Sequence, residues 1–144
     1  MKRFNRVACL FLAIILCLAV PVHAQDASTY ANSYIAAYGA WLEKPASFQI
    51  EVWFNITGTG MCDELGVSEI IVQRSSTGTG DWDTMRTFYP EYYPQMISEN
   101  DYSHISYVTY IGAPGYYYRA IVIFYSRKGN GVGQEIYYTG VLYL

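Results

Sequence analysis

The sequence predicts an all-β fold, an antiparallel β-sandwich of seven short strands, and three observations carry that expectation. Apolar side chains recur at every second position in several runs, the period of a strand with one buried face. Clusters of Gly, Pro, Ser, Asn and Asp separate those runs. The composition favours residues that suit a pleated sheet, with 16 tyrosines and six phenylalanines in 144 residues.

The first 24 residues stand outside that pattern. Lys2, Arg3 and Arg6 precede an apolar run from Val7 to Val20, and Val22-His23-Ala24 offers a cleavage site. The apolar run is shorter than the roughly 20 residues that span a bilayer. A signal-peptide helix over residues 1–24 is therefore expected, followed by one β-sandwich domain over 25–144, secreted and not inserted in a membrane after cleavage. Cleavage would remove Cys9 and Cys17 and leave Cys62 alone, so no disulfide could form within the mature chain. Without Lys2, Arg3 and Arg6, six basic side chains face twelve acidic ones, a formal charge of −6. That balance, with no arginine-rich run, excludes nucleic acid and anionic membranes as natural partners.

The strands follow in order. Tyr30, Tyr34, Tyr38 and Trp41 fit a helical stripe, whereas Tyr38, Ala40 and Leu42 fit alternation; surrounded by strands, the segment reads as a first edge strand. "FQIEVWFNIT" puts Phe48, Ile50, Val52, Phe54 and Ile56 on one face, with Trp53 the one large ring among polar neighbours on the other. "SEIIVQR" repeats the pattern, and the Gly-rich "STGTGDW" turns the chain into "DWDTMRTF". "HISYVTYI", "YYYRAIVIFYS" and "QEIYYTGVLYL" are the remaining three strands, with "APG" a turn before the second of them. "RKGNGVG" matches no G-x-G-x-x-G and no P-loop, and precedes a strand instead of a helix, so it reads as a hairpin and not a nucleotide loop.

Tyr118, Ala120, Val122 and Phe124 alternate inward from the Pro-Gly turn. In immunoglobulin-like sandwiches a tyrosine at the start of the penultimate strand bonds back to the backbone, two residues before an inward core position. Tyr118 and Ala120 have that spacing. The runs "FQIEVWFNITGTGMCDELGVSEIIVQRSSTGTGDW" and "YYYRAIVIFYSRKGNGVGQEIYYTG" together resemble a family of small secreted proteins of Gram-positive gut anaerobes, of unknown function. The resemblance covers nearly the whole mature chain and rests on structural motifs: a "TGxM-x-D-x-x-G" bend, an "I-x-V-Q" strand, a Trp hairpin and a "Y-R-A" strand. It implies a fibronectin type III-like architecture and supplies no catalytic residue. Cys62 sits within the bend, where the pattern leads one to expect a polar or acidic residue.

Catalytic constellations are poor. The mature chain would hold one histidine, His104, and one cysteine, Cys62, too few for a zinc site built on several His and Cys ligands. A Cys62/His104 dyad is the weakest of candidates, because Cys62 is expected in a loop and His104 at a strand start. "SENDYSH" gathers Glu99, Asp101 and His104 in an expected acidic loop without the spacing of a calcium hand. Asp81 and Asp83 flank Trp82, which alternation places on the opposite face. "NIT" at Asn55 to Thr57 matches a glycosylation acceptor but falls within a strand of a bacterial-looking protein. No metal and no cofactor is expected, and the chain reads as no enzyme, with a small secreted hydrolase a distant third reading.

Sixteen tyrosines exceed what one small core needs, so several must reach the surface. Cross-strand aromatic pairs on outer sheet faces account for many of them. A binding patch would use others, and Trp53, Tyr117 and Tyr137 are the candidates. Trp53, costly to leave fully wet in mid-strand, is expected to be covered by the "YGAWL" segment. The function expected is extracellular binding of a protein or glycan without catalysis, with a carbohydrate-binding module as the alternative, since aromatic rings suit both kinds of partner.

Overall fold

A computed structural model describes residues 34–144. The expected signal peptide, 1–24, and the start of the segment that follows it lie outside the described residues. Seven strands form: β1 (Ile35–Ala46), β2 (Gln49–Ser75), β3 (Asp83–Phe88), β4 (Ile97–Ile111), β5 (Tyr117–Lys128), β6 (Gly131–Tyr138) and β7 (Leu142–Tyr143), with one 3₁₀ turn at Pro94–Met96. All pair antiparallel in a single sheet that curls into a half-barrel.

The organising element is β2, 27 residues long. Its first part, Gln49–Thr57, lies between β1 and β4. Its last part, Ile70–Arg74, lies between β5 and β3. Two short strands with a bend between them were expected here. The bend exists as a bulge within one strand: Gly58 to Met61 stand opposite Tyr102 alone, where the register to β4 slips. Glycine permits this because the chain folds closely on itself there: a Cβ on Gly58 would overlap the Cys62 sulfur and the Gly60 carbonyl. The strand continues through the bulge because Ile56 before it and Cys62, Leu65 and Val67 after it are buried and keep their pairing.

Curling brings the inner faces of the two parts of β2 into one core. Ile50, Val52, Phe54 and Ile56 join Ile70, Val72, Tyr118, Ala120, Val122 and Phe124 there, all essentially inaccessible. Phe48 departs from the expected alternation. It occupies the two-residue β1–β2 turn with φ 65° and is 49% exposed. Left-handed backbone is unusual for a bulky residue, and the tight turn demands it.

Two other boundaries differ from the sequence reading. "SENDYSH" is not a loop but the first half of β4, with a local kink at Asn100 (φ 51°). "QEIYYTGVLYL" divides into β6 and β7, because Thr139 and Gly140 leave the ladder. The Thr139 hydroxyl accepts the Ala120 N–H and replaces the lost strand bond. The ambiguous 30–42 segment is extended from Ile35 onwards, paired to β2. The β5–β6 hairpin closes on Gly129-Asn130 alone, Lys128 pairing Gly131, with Gly129 at φ 58° as its turn requires.

Candidate binding face

On the outer face of β1, β2 and β4 the register aligns three rings: Trp41 opposite Trp53, and Trp53 opposite Tyr107. Side chains directly across antiparallel strands sit close enough to touch. Trp41 and Trp53 stack at 6.0 Å and 10°, and Trp53 and Tyr107 at 4.5 Å and 29°. Trp53 is therefore half-buried between two neighbours, and the ring over it from the "YGAWL" segment is Trp41.

Beside the rings, Glu43 lies directly opposite Glu51. Like charges in that position repel. Each is held by a neighbouring indole: Trp41 Nε1 donates to Glu43 at 2.7 Å and Trp53 Nε1 to Glu51 at 2.9 Å. The indole N–H groups are satisfied and the carboxylates fixed along the ladder. Ile105 and Ile111, 60% and 67% exposed, extend the face along β4. The result is a ridge of stacked rings, apolar along one strand and acidic at one side.

Tyr117 and Tyr137 do not join this ridge or each other. Tyr117 pairs with Ser75 and Tyr143 at the end of β5; its ring packs over Gly78 and lies 4.8 Å from that of Tyr143. Tyr137 opposes the buried Val122, and its ring meets Tyr38 and Phe124 edge-on at the rim of the core. The three expected binding residues thus occupy three separate places. Trp41 and Tyr107 were missed. The tight β1–β2 hairpin register and the alternation of "HISYVTYI" were the signals that could have placed them beside Trp53.

The Tyr118 phenol is fully buried and bridges back to Ala113, accepting its N–H at 2.7 Å and donating to its carbonyl at 3.0 Å. Ala120, on the same face, is buried two residues later.

The polar candidates are engaged elsewhere. Cys62 lies in β2 and not in a loop; it is buried, its thiol donates to the Gly60 carbonyl at 3.4 Å, and burial raises its pKa. Such a thiol is not a nucleophile at neutral pH. His104 bonds through Nε2 to the Gln95 carbonyl at 2.8 Å; a carbonyl only accepts, so Nε2 carries the proton. Its ring tilts against Phe54. Asp101 accepts from the backbone N–H groups of Ser103 and Tyr102 and from Ser98, which together lower its pKa. Trp82 lies under the Arg119 guanidinium at 4.4 Å, between Asp81 and Asp83 in sequence.

A groove of about 500 Å³ opens beside the bend, with Glu64, Tyr125, Glu91 and Glu99 among its walls. Glu64 is committed within it: Arg127 grips the carboxylate at 2.8 Å and, with help from the Tyr125 hydroxyl, holds its pKa below the ordinary range. No group of three or more His, Cys, Asp or Glu side chains among the described residues is placed to hold a metal ion.

No protein-family model matches this chain, and neither a curated protein nor a solved structure matches it.

Proposed function

We propose that this protein is an exported, non-catalytic β-sandwich domain of the immunoglobulin or fibronectin type III kind that binds a protein partner outside the cell. The export signal is the charged, apolar and cleavable order of residues 1–24, and the family resemblance points the same way. The observation that carries the binding reading is the Trp41–Trp53–Tyr107 ridge, rigid, aromatic and on an outer sheet face. Stacked rings offer large contact area at little further entropic cost, the property that enriches Trp and Tyr at protein interfaces.

The same geometry favours a protein over a glycan. A sugar ring needs an open aromatic face to lie on; Trp53 has a neighbour on each side, and the open side of Tyr107 turns to the sheet edge instead of outward. The test is capture by the immobilised protein of labelled surface proteins and polysaccharides, repeated with Trp53→Ala and Tyr107→Ala. Protein capture lost in both variants supports the reading. Polysaccharide capture sensitive to Trp53 would transfer the face to a carbohydrate-binding module, and capture indifferent to both residues would remove the ridge from the function.

A further inference from the structure

Antiparallel sheets end in edge strands whose outer N–H and C=O groups are open to any strand that fits, and proteins guard them. This sheet guards most of its edges. Along β1 the chain carries Glu43, Lys44 and Pro45. The short β3 carries Asp83 and Arg86. On β6, Glu135 points to the inner face, opposite the buried Phe124, and is bonded to the Tyr38 phenol of β1. The first half of β4 has Glu99, the kink at Asn100, and Asp101, which itself covers the N–H groups of Tyr102 and Ser103.

From His104 to Ile111 the guard stops. "HISYVTYI" has no Asp, Glu, Lys, Arg, Pro or Gly. Among the described residues it pairs with β2 on one side and with no strand on the other. Its outward side chains Ile105, Tyr107 and Ile111 are 60%, 40% and 67% exposed. Tyr107 also ends the ring ladder, with Trp53 on one face and the open edge beyond the other.

We propose that this edge pairs with the same edge of a second copy, β4 against β4, about a two-fold axis at Tyr107. In that register Ile105 faces Thr109 of the second copy, and no charged pair is brought together. The two ladders join into one, with Tyr107 against its symmetry mate at the centre. A two-fold contact uses the same patch twice and closes. Among the described residues β1, β3 and β6 each carry charged side chains or a proline that the His104–Ile111 edge lacks. The inference does not depend on what the ridge binds: in the dimer Tyr107 turns its second side to its symmetry mate, while Trp41 and Trp53 keep their outward edges free.

The test is the mass of the full chain, as purified from expressing cells, by light scattering across a concentration series. The wild type is expected to reach twice the monomer mass. The exposed pair Ile105→Lys with Thr109→Lys sets four lysines against one another across the axis and is expected to be monomeric. Ile105→Glu with Thr109→Glu is expected to be monomeric alone and to recover the doubled mass when mixed with the lysine protein. Val132→Lys with Ile136→Lys, on the exposed face of β6, is expected to stay dimeric. A wild type that remains monomeric throughout overturns the proposal. So does a lysine pair on β4 that leaves the dimer intact, or a β6 pair that dissolves it.

Discussion

Around Gln49–Thr57 the outward rings cover one another, Trp41 on Trp53 on Tyr107, with carboxylates at their side. Around Ile70–Arg74 rings meet cations instead. Arg119 lies over Trp82 and Tyr138 on the outer face; at the rim of the core Arg74 lies over Tyr116, and Arg86 over Phe88 and Tyr93. Arg74, Arg86 and Arg119 belong to this second half and Arg127 grips Glu64 beside the bend, whereas Lys44 is the one Lys or Arg on β1, the first part of β2 and β4. A ring beneath a guanidinium is already occupied by a favourable partner. A ring stacked only on other rings still offers its edges, and at Tyr107 one face, to a new one. The contrast separates rings covered by cations beside one end of β2 from rings stacked only on one another beside the other.

The comparison is broken most severely from inside. Phe54 and Phe124 sit in the two halves of the core, both fully buried. If the halves share one core, Phe54→Ala and Phe124→Ala should each cost about 3–5 kcal/mol in urea denaturation, as large buried rings do. A loss confined to one of them would mean that the halves are stabilised separately.

A smaller effect is expected at the junction of β4 and β5. Tyr118→Phe leaves the Ala113 N–H and carbonyl without their buried partner, at a cost of about 1–3 kcal/mol. Tyr117→Phe preserves the ring contacts with Gly78 and Tyr143 and should cost little. Equal denaturation midpoints for the two variants would show that the Ala113 bridge contributes nothing.

The outer faces give the smallest effects and the sharpest comparison. Trp53→Ala removes two ring contacts, each about 0.5–1.5 kcal/mol, and frees the Glu51 carboxylate opposite Glu43, so a loss of about 2 kcal/mol is expected. Arg119→Ala removes the two cation–π contacts of a half-buried side chain and its hydrogen bond to Gln73 and should cost about 1 kcal/mol. Added salt should reduce the Arg119 effect and leave the Trp53 effect nearly intact. The reverse salt dependence would refute the division of the two faces into stacked and charge-covered.

Much of the fold was legible because alternation is a local property. Ile50, Val52, Phe54, Ile56, Tyr118, Ala120, Val122 and Phe124 are buried where period two puts them. The merging of two strands into β2 was not legible. "TGTGMC" has turn composition, and the burial of Ile56 before the bulge and of Cys62, Leu65 and Val67 after it keeps the chain extended through it. "SENDYSH" looked like a loop for the same reason: charged and polar residues there face solvent at a strand edge, and composition cannot separate an exposed strand from an exposed loop. Trp53 could be singled out as an odd ring on a polar face, but its neighbours could not, because they come from strands 12 and 54 residues away in sequence.

By itself, then, the sequence determined that alternating β-branched and aromatic residues would bury one face of each strand, since that follows from the geometry of a single extended chain. Which strands would lie side by side was decided by the tertiary structure. Register across β1, β2 and β4 is set jointly by the two-residue turn at Ser47-Phe48 and by the bulge at Gly58 to Met61. A slip of one residue in either would turn the rings to opposite faces. The aromatic ridge therefore exists only once those two features fix the pairing, and no residue of the ridge carries that information alone.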